Sequence, residues 1–243
     1  MYSFFVAFAA AAATFTAIAL PTKVSYAVVP ALFVFGGLYF LIVRHHSKAI
    51  EGLMERMGRE LQQQRIDNAV RVVEDGYAHG KWVPFMTSQL KGQVGTLHYI
   101  KKDFDAALPL LEAAWSRHWV AKSMLAAHHW RKHKSDDAFA VLDKAISSSA
   151  KEPMLYGIKA WMKVKLKDRD AARATLVAGQ EATKGNDAIQ TNLVRLQNGQ
   201  DLQMYLFGET WWNFHLEKPS GKVIQKMAGG GLQPKGMRKA QFR

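Results

Sequence analysis

The stretch AHHWRKH (127–133) holds the side chains best suited to chemistry in this chain. His129 and His133 stand four apart, which on a helix puts two imidazoles on one face, the spacing of a two-ligand metal site. No third ligand is evident nearby, and Arg131, Lys132 and Lys134 repel a cation. His98 and His118 are the other histidines that could approach. The expectation is packing or solvated histidines, with no metal assigned. The sequence carries no Walker loop, dinucleotide fingerprint, nucleophile elbow or H-E-x-x-H. The absence of cysteine rules out disulfides, thiolate catalysis and Cys-ligated zinc or iron–sulfur sites. No catalytic residue and no cofactor is therefore assigned, and the chain is read as non-enzymatic.

The elements that must position any site begin with an apolar N-terminus. YSFFVAFAAAAATFTAIAL (2–20) is uncharged over 19 residues and VSYAVVPALFVFGGLYFLIV (24–43) over 20. Roughly 20 apolar residues carry a helix across the hydrocarbon core. The link PTK is just long enough to turn the chain. Pro30, Gly36 and Gly37 are common in spanning helices, and Tyr26 and Tyr39 sit where interfacial aromatics belong. AIA at 17–19 has the pattern of a signal cleavage site, but MYS lacks a basic residue and the apolar run is long for a signal. Residues 1–43 are read as a transmembrane hairpin, with a cleaved signal plus one span as the alternative. RHHSK (44–48) follows the second run, while the other flank offers only Lys23. By the positive-inside rule residue 44 onward is cytoplasmic in either case. The expected location is the cell inner membrane, multi-pass, with the C-terminus inside. His45 and His46 are expected to face head groups.

Beyond residue 43 the chain has a net charge of +12, out of +13 overall. That charge suits anionic lipid, acidic protein segments or nucleic acid. About 200 residues suffice for a sizeable core. Within them one phrase returns three times: KDFDAALPLLEAA (102–114), KSDDAFAVLDKA (134–145) and KDRDAARATLVAG (167–179). Ala107, Ala138 and Ala172 align, spaced by 31 and 34 residues. Leu111, Leu142 and Leu176 follow, then Ala114, Ala145 and Gly179. Twelve residues before each central Ala stand Gly95, Ala126 and Ala160. Small residues at fixed places let two helices approach closely. The acidic residues before each phrase suit a helix start, as caps and as charge beside the dipole.

This pattern resembles the tetratricopeptide repeat, a helix–turn–helix unit of about 34 residues. Gly95, Tyr99, Phe104, Ala107 and Ala114 of the first copy carry the match best, and Pro153 opens the third copy. Lys91 stands where the family has an early Trp, and the second copy reads as three residues short between Trp119 and Ser135. The fold class implied is all-α: two N-terminal transmembrane helices, then an α-solenoid of TPR-like hairpins. The organisation is 1–43 membrane hairpin, 44–83 helical stalk, 84–182 three repeats, 183–217 degenerate repeat or capping helices, and 218–243 basic tail. In the stalk, Ile50, Leu53, Met54, Met57 and Leu61 follow helical spacing. Packing on the first repeat is favoured for them over a coiled-coil seam.

The resemblance also implies a concave groove lined by the first helices. By aligned position it receives Gln89, Thr96 and Tyr99 from the first copy. The second copy gives Ser123, Ala127, Trp130 and Arg131, and the third gives Trp161 and Lys165. Aromatic bodies beside basic heads suit a peptide with acidic groups; the alternative is that Trp130 and Trp161 fill core. YLFGETWWNFHLEKP (205–219) is read as a cap whose inner face holds Leu206, Trp211 and Phe214, or as a docking patch. The tail has seven basic and no acidic residues, is expected to be disordered alone, and suits anionic lipid better than RNA. The expectation is a membrane-anchored adaptor that binds protein partners, acidic peptide segments among them. Lipid is contacted through residues 2–43 and the tail, and nucleic acid is not an expected partner. The alternative is a structural subunit of a secretion, pilus or motility apparatus.

Overall fold

Apolar side chains set the first two elements, α1 (Tyr2–Ala19) and α2 (Val24–Gln62). The computed structural model describes residues 2–21, 24–219 and 221, and every regular element among them is helical. The facing sides of α1 and α2 are small: Ala7, Ala27 and Ala31 are buried between them. Their outer sides are bare. Among the described residues, every exposed large apolar side chain except Phe85, Leu166, Val177 and Val194 lies between Tyr2 and Leu41. Two hydroxyls in the body of α1 are satisfied within the helix, Thr14 donating to the Ala10 carbonyl at 2.9 Å and Thr16 to that of Ala12 at 2.6 Å. Both helices are long and apolar enough to span a membrane.

The second apolar run and the start of the stalk share one helix. α2 runs unbroken for 39 residues, because RHHSKAIEGLMERMGRELQ keeps helix-forming residues and a continuing apolar stripe. Ile50, Met54, Met57 and Leu61 pack with Ile66, Ala69, Val70 and Val73 of α3 (Ile66–Asp75) and with Leu90, Val94 and Leu97 of α5 (Met86–Ile100). The stripe is used up in this packing. One short turn, α4 (Tyr77–Gly80), and α6 (Phe104–Glu112) complete the first of two compact units, which ends at Trp115.

The second unit contains α7 (Trp119–Arg131), α8 (Ser135–Ser148), α9 (Pro153–Lys165), α10 (Arg169–Ala182) and α11 (Asp187–Gln197). The returning phrase marks the second helix of each of three hairpins: α5 with α6, α7 with α8, α9 with α10. Each hairpin turns the same way. Lys102, His133 and Lys167 adopt left-handed backbone (φ 67°, 59° and 63°). The next N–H then reaches back to the carbonyl of His98, His129 and Lys163, at 3.0 Å in each case. This is the Schellman closure of a helix end. The residue after it starts the next helix: Asp103 accepts from the Ala106 N–H and Asp168 from that of Ala171. Lys134 stands at the same place with no side-chain cap.

The aligned small residues lie inside. Gly95, Ala107, Ala114, Ala126, Ala138, Ala145, Ala160, Ala172 and Gly179 are all buried, and Leu111, Leu142 and Leu176 are fully enclosed. The short spacing of 31 has a different origin from the one expected. The α7–α8 turn matches the others, whereas α6 has 9 residues against 14 in α8 and α10. Ala114 consequently lies beyond the end of its helix.

The expected capping helices of 183–217 are only half realised. α11 packs on α9 and α10, with Ile189 and Leu196 joining Tyr156, Ala160, Ala172 and Leu176 in one core. After it the chain forms two 3-10 turns, Met204–Phe207 and Glu209–Phe214. Gly208 between them has φ 105° and ψ 178°, which only glycine adopts readily. That break stops a second helix from forming. Of the tail, only 218, 219 and 221 fall among the described residues.

Candidate functional site

The second unit carries a chain of five aromatic rings. Phe139 of α8 meets Trp130 of α7 at 6.3 Å between centroids, and Trp130 meets Trp161 of α9 at 6.1 Å. Trp161 meets Trp211 at 5.5 Å, and Trp211 meets Phe214 at 6.2 Å. All four pairs are edge-on, the arrangement ring quadrupoles favour. Lys163 lies 4.3 Å over Phe139 and Lys165 5.0 Å over Trp161.

The last two rings belong to the chain's own C-terminal segment, which lies on α7 and α9. Its path is fixed at several points. The Asn192 carboxamide clamps Gln203, its Oδ1 accepting from the Gln203 N–H at 2.6 Å and its Nδ2 donating to the Gln203 carbonyl at 3.3 Å. Arg169 donates to the carbonyls of Leu196 and Gln200, and Arg195 to that of Asp201. Phe207 then packs against Gly157, where an added Cβ would stand 2.7 Å from the ring. Trp211 and Phe214 are fully buried, while Leu206 is only half-buried. Finally Glu217 Oε1 accepts from the Trp161 indole N–H at 2.7 Å, with the Lys165 ammonium 3.6 Å away. An indole N–H, an ammonium and an aromatic wall thus converge on one carboxylate, which is the chemistry that recognises an aromatic–acidic peptide.

The nine expected groove residues fall into two sets. In the first unit Gln89 is half-exposed, Thr96 is buried with its hydroxyl donating to the Gly92 carbonyl at 2.8 Å, and Tyr99 is fully buried edge-on to Phe104. In the second unit Ser123, Ala127 and Trp161 are buried, Trp130 is half-buried, and Arg131 and Lys165 are exposed. The structure brings Trp130, Trp161 and Lys165 together. Sequence reasoning missed Glu217 as the partner of Trp161. It also missed Gly157, although a glycine inside the helical run PMLYGIKAW is itself a signal of close approach.

The histidines do not form the pair their spacing suggested. α7 ends at Arg131, so His133 lies in the turn, with left-handed backbone, and not on the helix face with His129. His98 pairs with Asp103 at 3.2 Å. His118 is the N-cap of α7, its Nδ1 accepting from the Ala121 N–H at 3.2 Å. Burial, with a smaller contribution from the Lys122 charge, holds its pKa below the ordinary histidine value. His46 packs inward instead of simply facing head groups. It stacks on Trp82 at 5.0 Å, and its Nδ1 lies 3.0 Å from that of His79. One of those two atoms must carry the proton and the other accept it. Burial and then the neighbouring His79 and His45 lower the pKa of His46, consistent with a neutral ring.

Comparison of this chain with protein-family models, with curated proteins and with solved structures returns no match.

Proposed function

We propose that this chain is a membrane-anchored helical-repeat adaptor, held by α1 and α2 and presenting its folded units to protein partners at the cytoplasmic face. The observation that carries the reading is the continuity of α2. Its first half is an exposed apolar rod and its second half is core of the first unit, with no joint between them. Such a helix couples an anchor rigidly to a recognition surface, which raises effective concentration for partners on the same membrane. The RHHSK sequence after the apolar half supports the cytoplasmic side. The seat that takes Glu217 supports a preference for aromatic–acidic segments.

The second reading, a structural subunit of a larger membrane machine, is favoured by one specific fact. The inner face of the second unit is already filled by Phe207, Trp211 and Phe214 of the same chain. Photocrosslinking separates the two. Tyr99 and Trp161 are buried, so the photoreactive group belongs at the exposed Lys165. Adducts to a small set of exchangeable proteins, in intact cells, are expected of an adaptor. Comigration with fixed partners at fixed stoichiometry in mild detergent would instead assign a structural subunit.

A further inference from the structure

The loop between α4 and α5 is tied to both membrane helices at the level where their apolar runs stop. On α1, the Tyr2 N–H donates to the Lys81 carbonyl at 3.2 Å and the buried Ser3 hydroxyl donates to the Trp82 carbonyl at 2.6 Å. On α2, His46 stacks on Trp82, which also meets the Tyr2 ring, edge-on at 5.4 Å. Trp and Tyr in such a place are the residues that settle at the membrane–water boundary. Phe85, in the same loop, is 64 % exposed and has φ 59°. A left-handed backbone is costly for a bulky residue, and here it sustains an aromatic ring in the open, stacked at 5.8 Å on Trp115.

Together with Tyr2 and Gly80, Lys81, Val83 and Phe85 of the loop and Thr87 and Ser88 of the first turn of α5 line an open cleft of about 450 Å³. Its walls combine one ammonium, two aliphatic hydroxyls and apolar surface. Along the chain, residues 1–50 and 76–102 contain no Asp or Glu, while Arg44, Lys48, Lys81 and Lys91 lie within them. We infer that the loop from Lys81 to Phe85, with Thr87 and Ser88 of the first turn of α5, seats the phosphate headgroup of an anionic phospholipid at the head of the apolar hairpin. Lys81 faces the phosphate, Thr87 and Ser88 donate to its oxygens, and Phe85 rests among the upper acyl carbons. The inference rests on the membrane reading of α1 and α2 and names a ligand that reading does not supply.

The test uses the full chain in lipid nanodiscs containing phosphatidylglycerol with a photoreactive group near its glycerol backbone, with phosphatidylcholine carrying the same group as comparison. Adducts mapped by mass spectrometry are expected to concentrate in residues 79–88 and to favour phosphatidylglycerol. One basic residue near a membrane surface corresponds to about a fivefold preference, so Lys81→Glu should lower capture by at least about that factor. The Lys81 contact to Tyr2 is made by its backbone carbonyl, so this variant leaves the fold tie intact, and an unchanged melting temperature verifies that. Phe85→Ser should lower capture independently. Adducts spread evenly over α1 and α2, or equal capture of the two lipids, overturn the inference. Loss of the adducts in excess inorganic phosphate assigns the seat to free anion and overturns it too. Alkaline carbonate extraction of cell membranes separates the two levels: release of the chain removes the anchoring reading itself, whereas retention with unenriched adducts removes only the lipid seat.

Discussion

His118 shows how one residue can link helix capping to pH. Its Nδ1 accepts the Ala121 N–H, which a protonated ring cannot do. Burial already lowers its pKa. A histidine held below its ordinary value of about 6.5 contributes its stability in full above that pH. The contribution is lost as pH falls from there toward the lowered value, because the unfolded ring takes up its proton first. Melting of the full chain in detergent should therefore weaken as pH falls below about 6.5, and His118→Asn, which keeps an acceptor but cannot titrate, should flatten that dependence. An unchanged profile in the variant would place the pH response elsewhere. Lys134 offers the converse experiment. Its backbone angles (φ −98°, ψ 70°) are close to those of Asp168 (φ −93°, ψ 77°), yet it supplies no cap. Lys134→Asp should stabilise the chain by about 1 kcal/mol through a cap bond and a better match to the helix dipole, read as a raised denaturation midpoint.

The contacts between helices depend on missing side-chain atoms. A Cβ on Gly95 would stand 2.9 Å from the Leu110 Cβ and 3.1 Å from the Leu111 backbone N, neither of which can swing away. Gly95→Ala should cost about 1–3 kcal/mol by overpacking the α5–α6 hairpin, measured by chemical denaturation; a neutral outcome would mean the hairpin is looser than drawn. Gly157→Ala acts differently. Its clash is with the Phe207 ring alone, so it should lift the C-terminal segment while leaving the hairpins in place, seen as faster proteolysis after Phe207 with little change in helix content. These elements also show what the sequence can reveal. The small residues and the acidic starts announced the hairpins, because close packing and capping each demand particular residue types at fixed intervals. The path of residues 199–217 was not legible in the same way. It depends on an Asn192 clamp and a glycine-208 break, which are long-range and non-periodic, and the aromatic content alone fits a helix as readily as two 3-10 turns. The nine-residue α6 was hidden for a related reason: Ala114 matches the phrase but falls just past the helix end. Aligned position fixes which helix a residue is on, not what later folds across it, so the contact of Trp161 with Trp211 and Glu217 had no signal in the repeats.

At the scale of the whole molecule, composition and fold divide the chain into a bare apolar part and a charged, packed part, and α2 belongs to both. The contacts of Tyr2 and Ser3 with the loop at Lys81 and Trp82 make the first residues part of the first unit. α1 is therefore expected to be retained in the mature protein, so that peptide mass mapping of the purified chain recovers residues 2–19. The most direct test of the central claim uses the absence of native cysteine, which makes single-cysteine labelling unambiguous. Leu20→Cys marks the turn between the two helices, where the native side chain is 85 % exposed, and Lys48→Cys marks the far side of the apolar run. In sealed, right-side-out membrane vesicles a membrane-impermeant maleimide should label position 20 and reach position 48 only after the membrane is opened. Equal labelling of both positions in sealed vesicles would contradict the anchored hairpin and the adaptor built on it.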